Sequence, residues 1–288
     1  MPAHQLPPRR SRRRLPDVII GALLATLALA GCGDSDGAKG DAAAQSHDVL
    51  RVGSDLTYPP YAYLEDGKPA GFDAEFVRAL AAKIGKEPKF EDTRFEQLIP
   101  NLNSGRFELT ASALYITADR AKEVDYIPYF TTGNSIVVAA DAADKPATAG
   151  DLCGKAVGVI KGAAVAKSMR QEASGACQGS KPIDVREFPT DPEATQVLLS
   201  GQVDAQVTDA AVAKVAVDKT SGKLEITSDE LLYPIPVGVA VKRGNDALAK
   251  QIREALEQVR DSGEHQALLD KYNLKAADEA QVAQILGA

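Results

Sequence analysis

An arginine stands just past an apolar alternation in residues 107–129, FELTASALYITADRAKEVDYIPY. Leu109, Ala111 and Ala113 recur at the two-residue period of a strand with one buried face. Thr117 then offers a cap for a short helix carrying Asp119 and Arg120 on its first turn. A guanidinium there can grip a carboxylate through two parallel N–H bonds, or serve a surface ion pair with Glu123 or Asp125. Asp119 and Asp125 read as capping and solvated acids rather than an acid/base dyad. Asp55 and Tyr58 form a second candidate group, in the loop 55–61 that two prolines keep out of helix. That loop leaves the carboxyl end of a strand, where open α/β sheets bind ligands. Histidine chemistry has little to work with. His4 lies in an N-terminal leader, His47 in a polar tether and His265 on a polar helix, so neither a nucleophile pair nor a zinc spacing can be assembled. We therefore expect no catalytic residue, no cofactor and no metal.

The elements that position these residues alternate. Strands are expected at 49–54, around Phe90, in the stretch after Phe107, and at 135–140, 157–160, 185–188 and 203–207. A helix capped by Asp73 places Phe72, Phe76, Val77, Leu80 and Ile84 on one apolar face, and a second spans 96–103. Residues 141–150 form a loop after which the strand–helix pattern restarts, and 231–242 read as a strand returning across the molecule. Helices at 247–259, 265–272 and 276–287 close the chain. The fold class is α/β.

The 288 residues are 44% hydrophobic and 25% charged, as in a globular protein. Five arginines at positions 9–14 precede an apolar run at 18–30, which has the length of a signal-peptide core. The run ends in Leu29-Ala30-Gly31-Cys32, which resembles a bacterial lipobox; that resemblance implies a signal peptide over 1–31 and lipid on Cys32. Ordinary secretion with an unmodified cysteine is the alternative, and residues 11–15 are weakly like a twin-arginine signal. Residues 32–47 then form a lipid-anchored flexible linker. Loss of the leader takes five arginines and one acid, leaving 28 basic and 39 acidic side chains and a net charge of −11. So acidic a surface argues against nucleic acid. With Cys32 lipidated, Cys153 and Cys177 remain; outside the cytoplasm they pair, with two buried free thiols as the alternative.

From residue 48 to 274 the chain resembles an extracytoplasmic solute-binding protein of an ABC importer, of the polar-amino-acid type. The matching pieces are GSDLTYPPY, GFDAEF, FEQLIPNLNSGRFEL, YITADRAKEVDY, DLCGKAVGV, LLSGQVDAQVTD and VGVAVKRGN, in that order. The resemblance implies a two-lobed periplasmic-binding-protein-like fold of type II, with two hinge strands near 131–134 and 231–236 and a ligand cleft between the lobes. Lobe one would comprise 48–132 and 234–288, and lobe two 133–233. It also implies roles for cleft residues. Arg120 matches the clamp for an α-carboxylate, while Ser112 and the Ala113 backbone match strand-end groups meeting ammonium and carboxylate. Asp209 matches the acid that pairs with the ammonium, or else caps the helix after it. Asp55 and Tyr58 match residues facing the ligand side chain, and Phe95 an apolar wall, the two aromatics having plain core as their alternative. Gly162 and Ala164 mark a helix start whose N–H groups can bind an anion.

Two departures bear on the ligand. Tyr115 stands where such binders carry a serine or threonine, and Ala163-Ala164 replaces small hydroxyl residues. They admit a zwitterionic relative such as an ectoine, an opine or a betaine-like solute beside an ordinary amino acid. The resemblance implies a monomer, anchored outside the cytoplasm by Cys32, that delivers a zwitterion to ABC transporter membrane subunits. Two alternatives are a ligand-sensing module for a separate membrane receptor, and a cyclohexadienyl dehydratase-like enzyme needing a protonated carboxyl in the cleft.

Overall fold

The computed structural model describes residues 48–175 and 177–287; the expected signal segment, Cys32 and the linker lie outside the described residues. The chain starts with β1 (Asp48–Ser54) and a small antiparallel sheet of β2 (Thr57–Tyr58), β3 (Ala62–Glu65) and β4 (Lys68–Ala70). Next come α1 (Phe72–Lys83), β5 (Lys86–Asp92), α2 (Leu98–Asn103), β6 (Leu109–Thr110) and the long β7 (Val124–Ala139). The middle of the chain holds β8 (Ala156–Ile160), α3 (Ala164–Gly175), β9 (Asp184–Phe188), α4 (Asp191–Leu199), β10 (Ala205–Asp209), α5 (Ala210–Lys219) and β11 (Leu224–Ile226). β12 (Leu232–Lys242) then returns, followed by α6 (Asp246–Asp261), α7 (Glu264–Tyr272) and α8 (Glu279–Leu286).

One nine-stranded sheet runs β5-β1-β6-β12-β7-β10-β8-β9, with β11 beside β7. Its wings are parallel, β1 with β5 and β6 on one side and β8 with β9 and β10 on the other. Its centre is the antiparallel pair β7 and β12, from Lys242 opposite Val124 to Leu232 opposite Asn134. Register slips between Leu232 and Ile235, where Tyr233 takes a positive φ of 51°.

Three hydrophobic clusters fill the molecule. The first packs β1, β6, the early half of β7 and the late half of β12 against α1, α2, α6 and α7. Its centre is an aromatic stack in which Tyr129 lies 4.5 Å from Phe76 and 5.6 Å from Phe72, centroid to centroid. The second joins Ile136, Val138, Val157, Val159, Met169 and Val207; the third, on the other face, joins Val137, Leu198, Val203 and Leu224. Membership changes between Phe130 and Ile136 along β7 and between Tyr233 and Val237 along β12. The same two strands therefore serve both lobes of a two-lobed α/β fold.

Helix α6 shows why such elements form. Asn245 accepts from the Leu248 N–H at its start, and Leu248, Ile252, Ala255, Leu256 and Val259 bury one stripe at helical spacing. Two expectations need correction. The strand expected at 135–140 begins at Val124, because Pro128 sits at a bulge opposite Gly238 and interrupts the apolar pattern. Asp73 does not cap α1; Gly71 precedes the helix, and Asp73 is wholly buried inside its first turn.

Cys153 and Cys177 are bonded, with 5.5 Å between their Cα atoms, tying the turn before β8 to the end of α3. Closing that loop restricts the unfolded chain. Reduction, or the double change Cys153→Ser and Cys177→Ser, is expected to lower stability by about 3 kcal/mol in urea unfolding. His265 generates a pH expectation. It is buried against Phe76, its Nε2 has no partner, and burial holds its pKa below the usual imidazole value, with Arg260 adding to the effect. The neutral form is the one the fold favours, so this contribution is intact above the unfolded pKa and is lost as pH falls through the folded one. A melting series from pH 7.5 downward is expected to show a steeper loss in the wild type than in His265→Phe.

Candidate functional site

The site grows from the carboxyl ends of β1 and β10 and the irregular run after β6. Asp55 follows β1 and is wholly buried. Its Oδ1 accepts from the Thr57 N–H at 3.2 Å and the Thr57 hydroxyl at 2.7 Å and meets Arg94 Nη1 at 3.1 Å. Its Oδ2 accepts from the Phe95 N–H at 3.0 Å, and its own N–H donates to Ser112 Oγ at 3.0 Å. Burial raises the Asp55 pKa, with Thr57 and Arg94 opposing. Asp55 and Ser112 thus do not face the cleft as expected. They are internal groups, and what they position is Tyr58 and Phe95.

Ala113 needs a similar correction. It holds φ at 44°, and its N–H donates to Asp73 Oδ2 at 2.7 Å, so that amide is already engaged. Asp73 also accepts from the Tyr129 hydroxyl, and burial pushes its pKa up to about 7. The acid was visible in the sequence; that it reaches across to Ala113 was not.

Arg120 opens a 3-10 turn at Arg120–Lys122, its N–H donating to Thr117 Oγ1 at 3.3 Å. Nη1 donates to the Tyr115 carbonyl and Nη2 to the Gly162 carbonyl, both at 2.9 Å, and the guanidinium lies 5.4 Å from the Phe95 ring centre. No carboxylate among the described residues pairs with it. Asp125, one candidate partner, accepts from the Gly244 N–H instead.

Asp209 ends β10 and opens α5. It does cap that helix, Oδ1 accepting from the Ala211 N–H at 3.0 Å. It is also bound by two phenols from the other lobe: Tyr61 donates to Oδ1 at 2.7 Å and Tyr115 to Oδ2 at 2.9 Å. Fully buried, it has a pKa raised by desolvation, with the phenols opposing. Asp209 therefore caps α5, and in this structure it lies behind the two phenols rather than on the cavity wall.

Between the lobes lies a small, partly open cavity of about 20 Å³. Tyr58, Phe95, Ala113, Tyr115, Arg120 and Ala164 line it; Asp55, Ser112, Gly162 and Asp209 do not. Asn134, Ile160, Ala163, Val165, Val207 and Thr208 complete the wall; of these Ala163 alone was singled out from the sequence, though Thr208 directly precedes Asp209 at a strand end. Gly162 sits at the rim with φ at 80°, and a Cβ there would come within 3.2 Å of the Glu96 Cα, so glycine permits the lobes to approach. Lys161 meets Glu96 at 3.2 Å and Lys167 meets Asp119 across the same rim.

The model of the bacterial extracellular solute-binding proteins, family 3, matches residues 50–275. The chain belongs to that family. Among family 3 relatives, the L-cystine-binding protein TcyJ of Escherichia coli (strain K12) is 33% identical over 226 residues, 78% of this chain and 82% of that one. The ABC transporter glutamine-binding protein GlnH of Bacillus subtilis (strain 168) is 29% identical, covering 87% of this chain and 94% of its own. An ancestral arginine-binding protein bound to glutamine superposes with a TM-score of 0.72 at 35% identity, over 78% of this chain and 98% of that chain. These relatives are named as binding proteins, and among the described residues of this chain no helix is long and apolar enough to cross a membrane.

If Asp55 is an internal strut, its loss should strike the fold. Asp55→Ala would leave Arg94 and the Phe95 N–H without their partner. It is expected to lower stability by about 3 kcal/mol in urea unfolding, while Asp55→Asn costs less.

Proposed function

We propose that this protein is an extracytoplasmic binding protein that captures a polar amino acid or related zwitterion and delivers it to an ABC permease. One observation carries the reading. The Arg120 guanidinium stands at a small cavity between the lobes, held by two carbonyls and an aromatic face and lacking a carboxylate among the described residues. Carbonyls orient a guanidinium without neutralising it, so a ligand carboxylate is the natural complement. The cystine, glutamine and arginine named for the relatives share an α-carboxylate, which agrees with that choice.

In this reading lobe one comprises 48–132 and 234–288, lobe two comprises 133–233, and β7 and β12 are the hinge strands. Arg120 from lobe one and the Gly162 carbonyl from lobe two are brought together on closure. A ligand that satisfies Arg120 only when the lobes meet shifts the equilibrium toward the closed form by its differential affinity. The closed monomer is then the form the permease reads, and lipid on Cys32 keeps it at the membrane surface.

A thermal-shift screen tests the assignment. The panel holds the twenty amino acids, ornithine, citrulline, betaines, ectoines and opines. A ligand at about a hundred times its dissociation constant is expected to stabilise by about 2.7 kcal/mol. That shift is expected to vanish in Arg120→Ala. A hit indifferent to Arg120 would rule out the carboxylate clamp.

A further inference from the structure

We propose that Tyr115 sets the ligand's cationic group: the cleft takes carboxylate zwitterions whose positive charge is quaternary or delocalised, and disfavours a primary ammonium. The inference rests on Arg120 as the carboxylate site and narrows what lies at the other end of the ligand.

A primary ammonium carries three N–H donors, and taking it from water is unfavourable unless each finds an acceptor. Asp209 is the acid best placed to help, but it is sealed. Tyr61 and the Ala211 N–H occupy Oδ1, and the Tyr115 hydroxyl occupies Oδ2 at 2.9 Å. No carboxylate lines the cavity. The same Tyr115 hydroxyl lies 3.4 Å from Asn134 Oδ1, and the Thr208 hydroxyl turns to Asp191 at 2.6 Å. A cation of either kind parts the lobes to enter, because a cavity of about 20 Å³ is smaller than both; on closure a primary ammonium gains Asp209 as a partner only by displacing the Tyr115 hydroxyl from Oδ2.

A cation without close N–H donors has no such requirement. Tyr58, Phe95 and Tyr115 contribute aromatic surface, and Ala163, Ala164 and Val207 contribute apolar surface. Aromatic rings attract methylated or delocalised cations through their quadrupole, and apolar groups accept N-methyl carbons without loss. Asp209 keeps its negative charge behind the phenols, so its field still favours a cation at this wall. Tyr115 thereby converts a hydrogen-bonding subsite into an electrostatic and aromatic one. A small hydroxyl residue at position 115 would leave Oδ2 open, which is why this single side chain carries the choice.

The test is calorimetric titration of the purified protein with matched pairs, glycine against trimethylglycine and L-proline against its N,N-dimethyl form, with a cyclic amidine carboxylate added. Wild type is expected to bind the alkylated or amidinium member at least about tenfold more tightly, the scale of one charge-assisted hydrogen bond left unmade. Tyr115→Ser is expected to move that ratio toward the primary ammonium by at least about tenfold. Tyr115→Phe keeps the ring and its packing and should move the ratio the same way by a smaller factor. A wild-type preference for the primary ammonium, or a ratio unchanged in both variants, overturns the proposal while leaving Arg120 as carboxylate site. Binding of no pair member by wild type or either variant overturns the carboxylate reading itself, and the proposal with it.

Discussion

A carboxylate taken wholly out of water must be met by donors, or it takes up a proton. Asp209 is in that position, and the donors that meet it come from two places: its own helix supplies one N–H, and the opposite lobe supplies two phenols. The bond from Tyr61 is anchored in the largest core, where that ring packs 5.3 Å from Phe130. Lobe closure and satisfaction of Asp209 are therefore one event. Separating the lobes returns the acid to water, which supplies donors freely; joining them requires Tyr61 and Tyr115 in register. Of the other cross-lobe contacts, Lys161–Glu96 and Lys167–Asp119 are solvent-screened pairs at the rim and contribute little.

The sheet places that contact beside the point where the two cores change over. β7 and β12 each pass from one core to the other, and their pairing slips at two places, between Val237 and Gly238 within the first core and between Leu232 and Ile235 where the cores change over. Pairing is lost there while hydrophobic packing on either side is intact, so bending concentrates at that point. Asn134, opposite Leu232 in the ladder, also lines the cavity and lies 3.4 Å from the Tyr115 hydroxyl. Hinge, phenol and acid thus form one connected unit.

Much of the framework was legible in the sequence, because α1, α6 and β1 carry amphipathic patterns that local physics decodes. Arg120 was legible too, from its position after an alternating apolar run. The first half of β7 was hidden by Pro128, a residue that argues against strand unless a bulge accommodates it. The sealed state of Asp209 was hidden for a different reason. Its partners lie 94 and 148 residues away, and no periodicity or capping rule links groups so distant. The same holds for Asp73, whose spacing offered only a helix cap while its real partners are Ala113 and Tyr129. Tertiary partners of buried acids are set by topology, and the topology was known only as a class.

The charges left over define what the cleft can accept. Among Asp55, Asp73 and Asp209, each acid is answered inside the protein by a cation, a phenol or an amide. Among the described residues Arg120 meets carbonyls and an aromatic face but no carboxylate. A half-buried guanidinium without a carboxylate partner favours an anion of planar, two-oxygen shape. The ligand's cation has no comparable unmet partner at the cavity wall. On the reading proposed above, affinity is concentrated at the carboxylate end of the ligand, and selectivity is decided at the other by what Tyr115 permits.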